Sequence, residues 1–346
     1  KMLTKKQVSQ IKEHLDKAQN PVFFFDNDQD GLCSFIILRK FCGKGKGVAV
    51  KSYPAMNREY FRKVNELKAD YIFILDKPIV EKDFFEEAEK INIPVVWIDH
   101  HDVQTEMPDF VHYYNPVLNK KKTNEPVTHL CYSISTRKED MWLDIVGCVS
   151  DHFVPETYHE FMRQFPELCF DSNHPKDILY KSQIGKVAMM LGFALKDTTT
   201  NVVNMMKFLI NARSPYDILK ESPENKIIHE RFSTIQNKYQ KLLNKAKSEA
   251  NNENILFFQY SSDVSMSGDL SNELNYLFPE KTIVIVRILG AMANISARGK
   301  KVKDLIERSL EGISDSRSGG HENAIGGQLP VKDIDKFEEN LKKLVG

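Results

Sequence analysis

Short apolar runs alternate with amphipathic stretches through the first hundred residues of the chain. The apolar runs, each of strand length, are PVFFFD (21–26), VAVKSY (48–53), DYIFILD (70–76) and PVVWID (94–99). Between them, residues 32–42, 57–67 and 80–90 carry apolar side chains at helical spacing. Buried strands joined by helical crossovers of this length predict a parallel sheet that is covered by helices on both faces.

The remaining sequence predicts a helical region, a connector and a second, smaller α/β domain. Residues 126–211 read as mostly helical, and residues 224–251 form one long polar, amphipathic helix. The pattern then predicts a strand (255–260), a helix (269–278), a hairpin around Gly290 (282–288 and 291–298), a helix (302–311), a Gly-rich turn (319–327) and a final helix (333–344). We therefore expect an α/β fold with a parallel-sheet domain over 1–190, a helical connector over 191–253 and a smaller domain over 254–346.

Composition limits the partners and the compartment that the chain is expected to have. The formal net charge is zero, so any contact with nucleic acid must come from local basic patches. The five cysteines are scattered without a CxxC pair, which fits a reducing cytosol. Because no apolar run is long enough to span a bilayer, we expect a cytoplasmic protein without a membrane partner.

Acidic residues end three of the predicted strands: Asp26, Asp76 and Asp99. In open α/β sheets, ligands bind at the carboxyl ends of the strands. The segment DNDQDG (26–31) also places Asp28 and Asp30 in alternation with Asp26, and Gly31 frees the backbone to turn into the next helix. An EF-hand loop is excluded, because a strand precedes the segment and Ile37 stands where the last calcium ligand would be. A solvated acidic turn remains the alternative for this segment alone.

Histidines beside a strand-end acid favour a metal site over a solvated acidic turn. His100 and His101 follow Asp99 in IDHHD (98–102), and Asp151 ends the apolar run WLDIVGCVSD (142–151). Carboxylate and imidazole together suit manganese, among other divalent ions. Clustered like charges are costly unless a cation neutralises them. Two divalent ions about 3.5–4 Å apart would do so, and they would clamp a phosphate and activate water.

The motifs resemble those of a known family. DNDQDG, ILDKP (74–78), DHH (99–101) and VSD (149–151) are similar in order and spacing to the motifs of the DHH phosphoesterases. The segment SGGHENAIGG (318–327) resembles the glycine-rich signature of the companion DHHA1 domain. Together these motifs cover nearly the whole chain, and they look most like the RecJ-like nucleases of compact archaeal type.

The resemblance implies a role for each acid and histidine. Asp28 and Asp76 would bind one metal, and Asp76 would bridge to a second metal that is held also by Asp30, His100 and Asp151. His101 would face the scissile phosphate, and Asp99 would orient a histidine. Many members carry a histidine four residues before the first-metal aspartate, where this chain has Phe24. Asp26 is the candidate for the missing ligand. The expected cofactor is therefore a pair of manganese ions, with magnesium as the alternative.

The second domain is expected to bind substrate. The glycines of SGGHENAIGG, including Gly319 and Gly320, permit close approach of a phosphate to the backbone. His321 could donate to a phosphate. The resemblance places Arg298 on a phosphate as well, and the arginine fork binds phosphate oxygens in pairs.

Three functions follow from this interpretation. The first is an exonuclease that releases mononucleotides from single-stranded DNA or RNA by two-metal hydrolysis, with a replication or repair helicase as a partner that only the family implies. The second is a nano-RNase or a phosphodiesterase of cyclic or short dinucleotides, which would lose activity on longer strands. The third is a replication or repair scaffold that has lost catalysis and need bind no metal.

Overall fold

The computed structural model describes residues 2–52, 55–103 and 106–345. Tyr53, the last residue of the predicted strand 48–53, lies outside the described residues. The chain divides into two compact units, Lys1–Phe232 and Ser233–Gly346. The point of division falls inside the stretch 191–253 that the sequence predicts as a connector, and the three-part division itself stays a prediction.

Unit 1 contains a parallel sheet and a series of helices. In chain order its elements are α1 (Lys5–Lys17), β1 (Pro21–Asp26), α2 (Gln29–Cys42), β2 (Lys46–Val50), β3 (Ala55–Met56), α3 (Phe61–Glu66), β4 (Tyr71–Leu75), β5 (Ile79–Val80), α4 (Lys82–Lys90), β6 (Val95–Ile98), β7 (Val111–Tyr114), α5 (Val127–Ser135), α6 (Met141–Ser150), α7 (Thr157–Gln164), α8 (Pro175–Lys181), α9 (Gln183–Ala194), α10 (Thr199–Asn211) and α11 (Tyr216–Leu219). Short 3₁₀ turns cover Arg58–Tyr60, Pro116–Leu118, Lys138–Asp140 and Pro166–Leu168. A long helix, α12 (Lys226–Glu249), carries the chain from unit 1 into unit 2.

The main sheet of unit 1 has the strand order β2-β1-β4-β6-β7, and all its neighbours are parallel. Alternate side chains of each strand enter two different cores. Phe23 and Phe25 belong to one apolar cluster, whereas Phe24 belongs to the cluster on the opposite face. A sheet that is buried on both faces needs apolar residues at nearly every position, which explains the continuous apolar runs in the sequence. The predicted α/β fold class is confirmed.

A tight turn joins β1 to α2 and fixes the acidic segment. The Asp28 side chain caps α2, because its Oδ1 accepts a hydrogen bond from the Gly31 amide at 2.9 Å. A Cβ atom added to Gly31 would lie 2.3 Å from the Asp26 carbonyl oxygen. Only glycine therefore fits where the backbone folds back on the end of β1.

Unit 2 is built on a mixed sheet. After α12, its elements are β8 (Ile255–Ser261), α13 (Ser267–Leu277), β9 (Thr282–Leu289), β10 (Met292–Arg298), α14 (Val302–Ser309), β11 (Arg317–His321), β12 (Ala324–Pro330), a 3₁₀ turn (Val331–Asp333) and α15 (Ile334–Val345). The strand order is β11-β12-β10-β9-β8, and within it β8 and β9 are parallel whereas the other neighbours are antiparallel. Ile295, Ile306 and Phe337 represent the apolar core of this unit, which packs α14 and α15 on one face of the sheet.

Two predictions about local structure need correction. Residues 319–327 were expected as a Gly-rich turn, but they lie in β11 and β12, and the turn is confined to residues 322–323. Glycine is a poor strand former, yet pairing of β12 with β10 supplies the main-chain hydrogen bonds that hold these residues extended. The predicted helix 57–67 is a 3₁₀ turn followed by the short α3. Among the described residues, no helix is both long and apolar enough to cross a bilayer.

Candidate metal centre

The strand ends of the unit 1 sheet bring the predicted acids and histidines together. Asp26 ends β1, and Asp76 follows β4 directly. Asp99, His100 and His101 follow β6. Because these three strands are adjacent and parallel, their carboxyl ends meet at one edge of the sheet.

Asp76 and His100 lie at the middle of this cluster. His100 Nε2 is 3.4 Å from Asp76 Oδ1, and it is 3.9 Å from both Asp30 Oδ2 and Asp151 Oδ2. Two overlapping sets of side chains could each hold a cation, with ligand atoms within 4.8 Å of one another: Asp76, His100 and His101, and Asp30, His100 and Asp151. The second set, with Asp76 added, is the group that the sequence predicts for one metal.

The surroundings of the Asp76 carboxylate favour a bound cation. The residue is 2% exposed, and its Oδ1 atom has no hydrogen-bond partner among the described residues. Its backbone also has a φ of 60°, a left-handed conformation that is rare for a residue other than glycine. A buried anionic oxygen without a partner is costly, and strain of this kind collects at functional sites. The ligand set around Asp76 therefore fits a divalent ion.

Asp30 is oriented by the start of α5. The Val127 amide donates to Asp30 Oδ2 at 2.9 Å, and the Thr128 amide donates to Asp30 Oδ1 at 2.7 Å. The Thr128 hydroxyl also donates to Oδ1, at 2.6 Å. A carboxylate at a helix N-terminus is stabilised by the helix dipole. The sequence did not point to Thr128, although Pro126 immediately before the helix marks where it starts.

Hydrogen bonds also set the orientation of both histidines. His100 Nδ1 donates to the Asn124 carbonyl at 3.1 Å, which leaves Nε2 facing Asp76. His101 Nδ1 donates to Asp99 Oδ1 at 2.8 Å, and Asn115 Nδ2 donates to the His101 carbonyl at 2.8 Å. Partners of this kind fix the tautomer of a metal-binding or phosphate-binding imidazole. The supporting role of Asn115 was not predicted from the sequence.

Asp26 and Asp28 have protein partners instead of belonging to either ligand set. Asp26 Oδ1 is 2.8 Å from Lys77 Nζ, in an ion pair with a fully buried lysine. Asp28 is the cap of α2 described above. Phe24, at the position where the resemblance leads us to expect a histidine, is fully buried and packs edge-on against Phe84. The predicted role of Asp26 as a metal ligand stays a prediction.

The charges of the cluster explain the shifted pKa values of its members. Burial, followed by the charges of Asp30 and Asp28, raises the pKa of Asp76 well above its usual value. Burial and Asp28 raise the pKa of Asp26 to about 6, against the opposing charge of Lys77. Burial alone would lower the pKa of His100, but Asp30 and Asp151 raise it above its usual value. The cluster thus carries more negative charge than its environment favours.

In unit 2, the register of the sheet groups the predicted substrate-binding residues. Arg298 on β10 and His321 on β11 both pair with Ala324 on β12. Directly paired residues share a face of an antiparallel sheet, so both side chains lie on the face opposite the apolar core. Arg298 Nε donates to Asn272 Oδ1 at 2.7 Å, a contact with α13 that the sequence did not reveal.

The adjacent glycines belong to the same exposed edge of the unit 2 sheet. Gly319 lies two residues before His321 on β11 and faces Gly326 on β12, and nothing lies within 4 Å of a Cβ atom placed on Gly319. Gly320 has a φ of +154°, and a Cβ atom there would meet the Ala324 carbonyl at 2.5 Å. The roles of these residues in binding stay predictions.

The fold and the cluster define a class of protein: an α/β protein with a candidate divalent-cation site at the strand ends of a parallel sheet. The comparisons show which family this domain resembles. Residues 22–149 match the model of the DHH family, N-terminal domain. A search among curated proteins found no match. Residues 22–149 thus match a DHH-family N-terminal domain, and the fold of the chain is RecJ-like.

Solved structures share the fold at low sequence identity. RecJ from Thermus thermophilus in complex with Mn²⁺ matches with a TM-score of 0.70 and 14% identity, over 98% of this chain and 54% of that one. Exonuclease RecJ bound to manganese matches with a TM-score of 0.66 and 14% identity, over 98% and 93%. The pGpG-specific phosphodiesterase PggH from Vibrio cholerae matches with a TM-score of 0.51 and 12% identity, over 94% and 99%. This chain therefore spans about half the length of the Thermus RecJ.

The family match and the ligand sets together support a metal-dependent phosphoesterase. The manganese and the substrates of the similar structures belong to those proteins, and they enter below only as proposals.

Proposed function

We propose that this chain is a metal-dependent exonuclease that releases mononucleotides from an end of single-stranded DNA or RNA. One observation carries the proposal: the buried Asp76 Oδ1, which accepts no hydrogen bond from the described residues, stands among Asp30, His100 and Asp151, a set that fits one divalent ion. Two similar structures are RecJ proteins with bound manganese, and one of them is called an exonuclease. Manganese is accordingly the proposed ion, with magnesium as the alternative.

In this proposal, Asp30, Asp76, His100 and Asp151 would hold the ion. When bound, such an ion polarises a phosphate and lowers the pKa of coordinated water. The residues around the ion would position the scissile phosphate. Asp99 holds His101 through Nδ1, so that the Nε2–H of His101 can donate to an oxygen of the scissile phosphate. The hydrogen-bonded Asp99 stabilises the imidazolium form that such a donor needs.

Unit 2 would bind the sugar–phosphate backbone of the nucleic-acid strand. The Arg298 guanidinium offers paired donors to phosphate oxygens, and His321 on the same face of the sheet offers a second donor. The open space at Gly319 allows a phosphate to approach the main chain. Contacts of this kind recognise the sugar–phosphate chain and not the base sequence, which suits a degradative nuclease.

End-labelled digestion tests the function. DNA and RNA oligonucleotides of 2 to about 30 nucleotides would carry a label at either end and be incubated with manganese. A ladder of single-nucleotide steps is expected from the wild type and from Asp102→Asn, an exposed acid beside the DHH motif. Asp76→Asn should leave every substrate intact. Absence of a ladder on all strands longer than a few nucleotides would overturn the exonuclease proposal.

A second candidate function is hydrolysis of dinucleotides. The similarity to the pGpG-specific phosphodiesterase PggH favours it, because this chain covers 99% of that protein. The same digestion distinguishes the two. Cleavage that stops completely above two or three nucleotides supports the dinucleotide function.

A further inference from the structure

Lys77 is a fully buried ammonium group at the edge of the metal cluster. It follows Asp76 directly and has an exposed fraction of 0%. Its Nζ atom donates to Asp26 Oδ1 and to the Ser52 carbonyl, each at 2.8 Å. The Trp97 indole donates to the Lys77 carbonyl at 3.1 Å, which holds the backbone of the residue from the neighbouring strand.

Lys77 neutralises the negative charge of Asp26, which would otherwise need a metal cation nearby. A buried ammonium is costly unless an anion pairs with it, and Asp26 beside Asp28 provides that anion. Conversely, Asp26 and Asp28 lie close enough for the charge of Asp28 to raise the pKa of Asp26. A positive group on Asp26 relieves that repulsion, and Lys77 supplies one from within the chain.

The ligand geometry divides the acids in the same way. Both described ligand sets converge on His100, and neither includes Asp26 or Asp28. Asp28 Oδ1 is already engaged by the Gly31 amide at 2.9 Å. At the position of the family histidine, Phe24 points into the apolar core with Phe84 and can offer no ligand. A first metal would thus have to displace Lys77 from Asp26, because Asp26 is the group left to take the place of the imidazole.

We propose that the Lys77 ammonium takes the place of one of the two cations that the sequence motifs imply, so that each chain binds a single divalent ion. That ion is held by Asp30, Asp76, His100 and Asp151, while the fixed positive charge of Lys77 neutralises Asp26 beside it. This inference rests on the metal site of the proposed function. It predicts one bound ion per chain, whereas the sequence motifs imply two.

Manganese stoichiometry of the wild-type protein tests the inference. The full chain would be dialysed against excess Mn²⁺, the bound metal counted by elemental analysis, and its electron paramagnetic resonance spectrum recorded. One ion per chain with an isolated six-line signal is expected. Two ions with an exchange-coupled spectrum would overturn the role of Lys77 and leave the proposed function standing. No bound ion would refute the metal centre, and with it both proposals.

A charge variant tests the substitution of lysine for metal directly. Lys77→Gln removes the charge, shortens the side chain by one atom and frees Asp26, so binding of a second Mn²⁺ is expected. Lys82→Gln, which changes a lysine with an 89% exposed side chain on α4, is the matched control and should keep one ion. A folded Lys77→Gln protein that still binds one ion would contradict the inference.

If Lys77→Gln does not fold, a double variant that replaces both charged residues by neutral ones tests the inference instead. The double variant Asp26→Asn, Lys77→Met removes both charges together. If Asp26 is not a ligand, the variant should bind one Mn²⁺ with a Kd within about threefold of the wild type. A Kd raised tenfold or more would show that Asp26 coordinates the ion and would overturn the inference.

Discussion

His101 Nδ1 lies 2.8 Å from Asp99 Oδ1, and the Asp99 side chain is completely buried. Burial alone would lower the pKa of His101, but the hydrogen bond and charge of Asp99 raise it above its usual value. The pair therefore favours an imidazolium whose second N–H is directed away from Asp99. Such a group can act on a phosphate without being a metal ligand.

Replacing Asp99 should weaken catalysis and leave metal binding intact. Asp99→Asn removes the charge that supports the imidazolium, so kcat should fall about 10- to 100-fold. The alkaline limb of the kcat–pH profile should move to lower pH, since the pKa of His101 falls. Tyr113→Phe keeps the Asp99 charge and should cost less than threefold. It removes a 3.3 Å hydrogen bond to Asp99 Oδ2 and the acceptor of a 2.8 Å hydrogen bond from Asn115 Nδ2. Loss of bound Mn²⁺ in Asp99→Asn would show instead that Asp99 serves the metal.

Gly31→Ala should destabilise unit 1. The new Cβ atom would lie 2.3 Å from the Asp26 carbonyl oxygen, so the turn between β1 and α2 must shift. Overpacking of this kind costs about 1–3 kcal/mol, which corresponds to a fall of roughly 2–12 °C in Tm. Differential scanning calorimetry measures it. Gly268→Ala is the control, because nothing lies within 4 Å of its Cβ position and α13 tolerates alanine. Equal Tm values for the two variants would contradict the close approach.

Metal binding should release protons and strengthen as pH rises. The pKa of Asp76 is raised by burial and by its acidic neighbours, and the pKa of His100 is raised by Asp30 and Asp151 despite burial. Both groups thus retain protons longer in the metal-free fold than in the unfolded chain, and an ion must displace them. Calorimetric titration with Mn²⁺ in two buffers of different ionisation enthalpy gives the proton count. An affinity that does not change between pH 5.5 and 7.5 would contradict these pKa directions.

Arg298 should matter for binding substrate more than for turnover. Its loss removes charge-assisted hydrogen bonds worth about 1.5–3 kcal/mol, so Arg298→Ala should raise KM roughly 10- to 150-fold with kcat changed less than threefold. Arg308→Ala removes an exposed arginine that pairs with Asp304 on α14, and it should leave both constants unchanged. An unchanged KM in Arg298→Ala would remove the residue from the substrate site.

Much of unit 1 could be predicted from the sequence because its signals are local. The run PVFFFD is β1 from its first residue to its last, and Asp76 and the two histidines, which follow β4 and β6, converge as the parallel arrangement requires. The contacts that the sequence did not reveal join residues far apart in the chain. Thr128 reaches Asp30 across 98 positions, and Lys77 reaches Asp26 across 51.

Dependence on contacts far apart in the chain also explains the wrong prediction of a turn at residues 319–327 in unit 2. Residues 319–327 look like a turn by their glycine content, whereas their extended conformation depends on pairing with β10, and local composition does not reveal that pairing. The contact of Arg298 with Asn272 likewise requires α13 to pack on the sheet. Strand ends could be located from sequence periodicity, but partners that depend on register and packing could not.

We expect a divalent ion to bind among the carboxylates and imidazoles of unit 1, next to Asp76. The most direct test is an anomalous difference map, collected at the manganese edge from crystals of the full chain grown with Mn²⁺. A peak is expected within roughly 2.0–2.6 Å of Asp76 Oδ1 and His100 Nε2. A map without a peak at these atoms, in crystals that contain manganese elsewhere, would contradict the account.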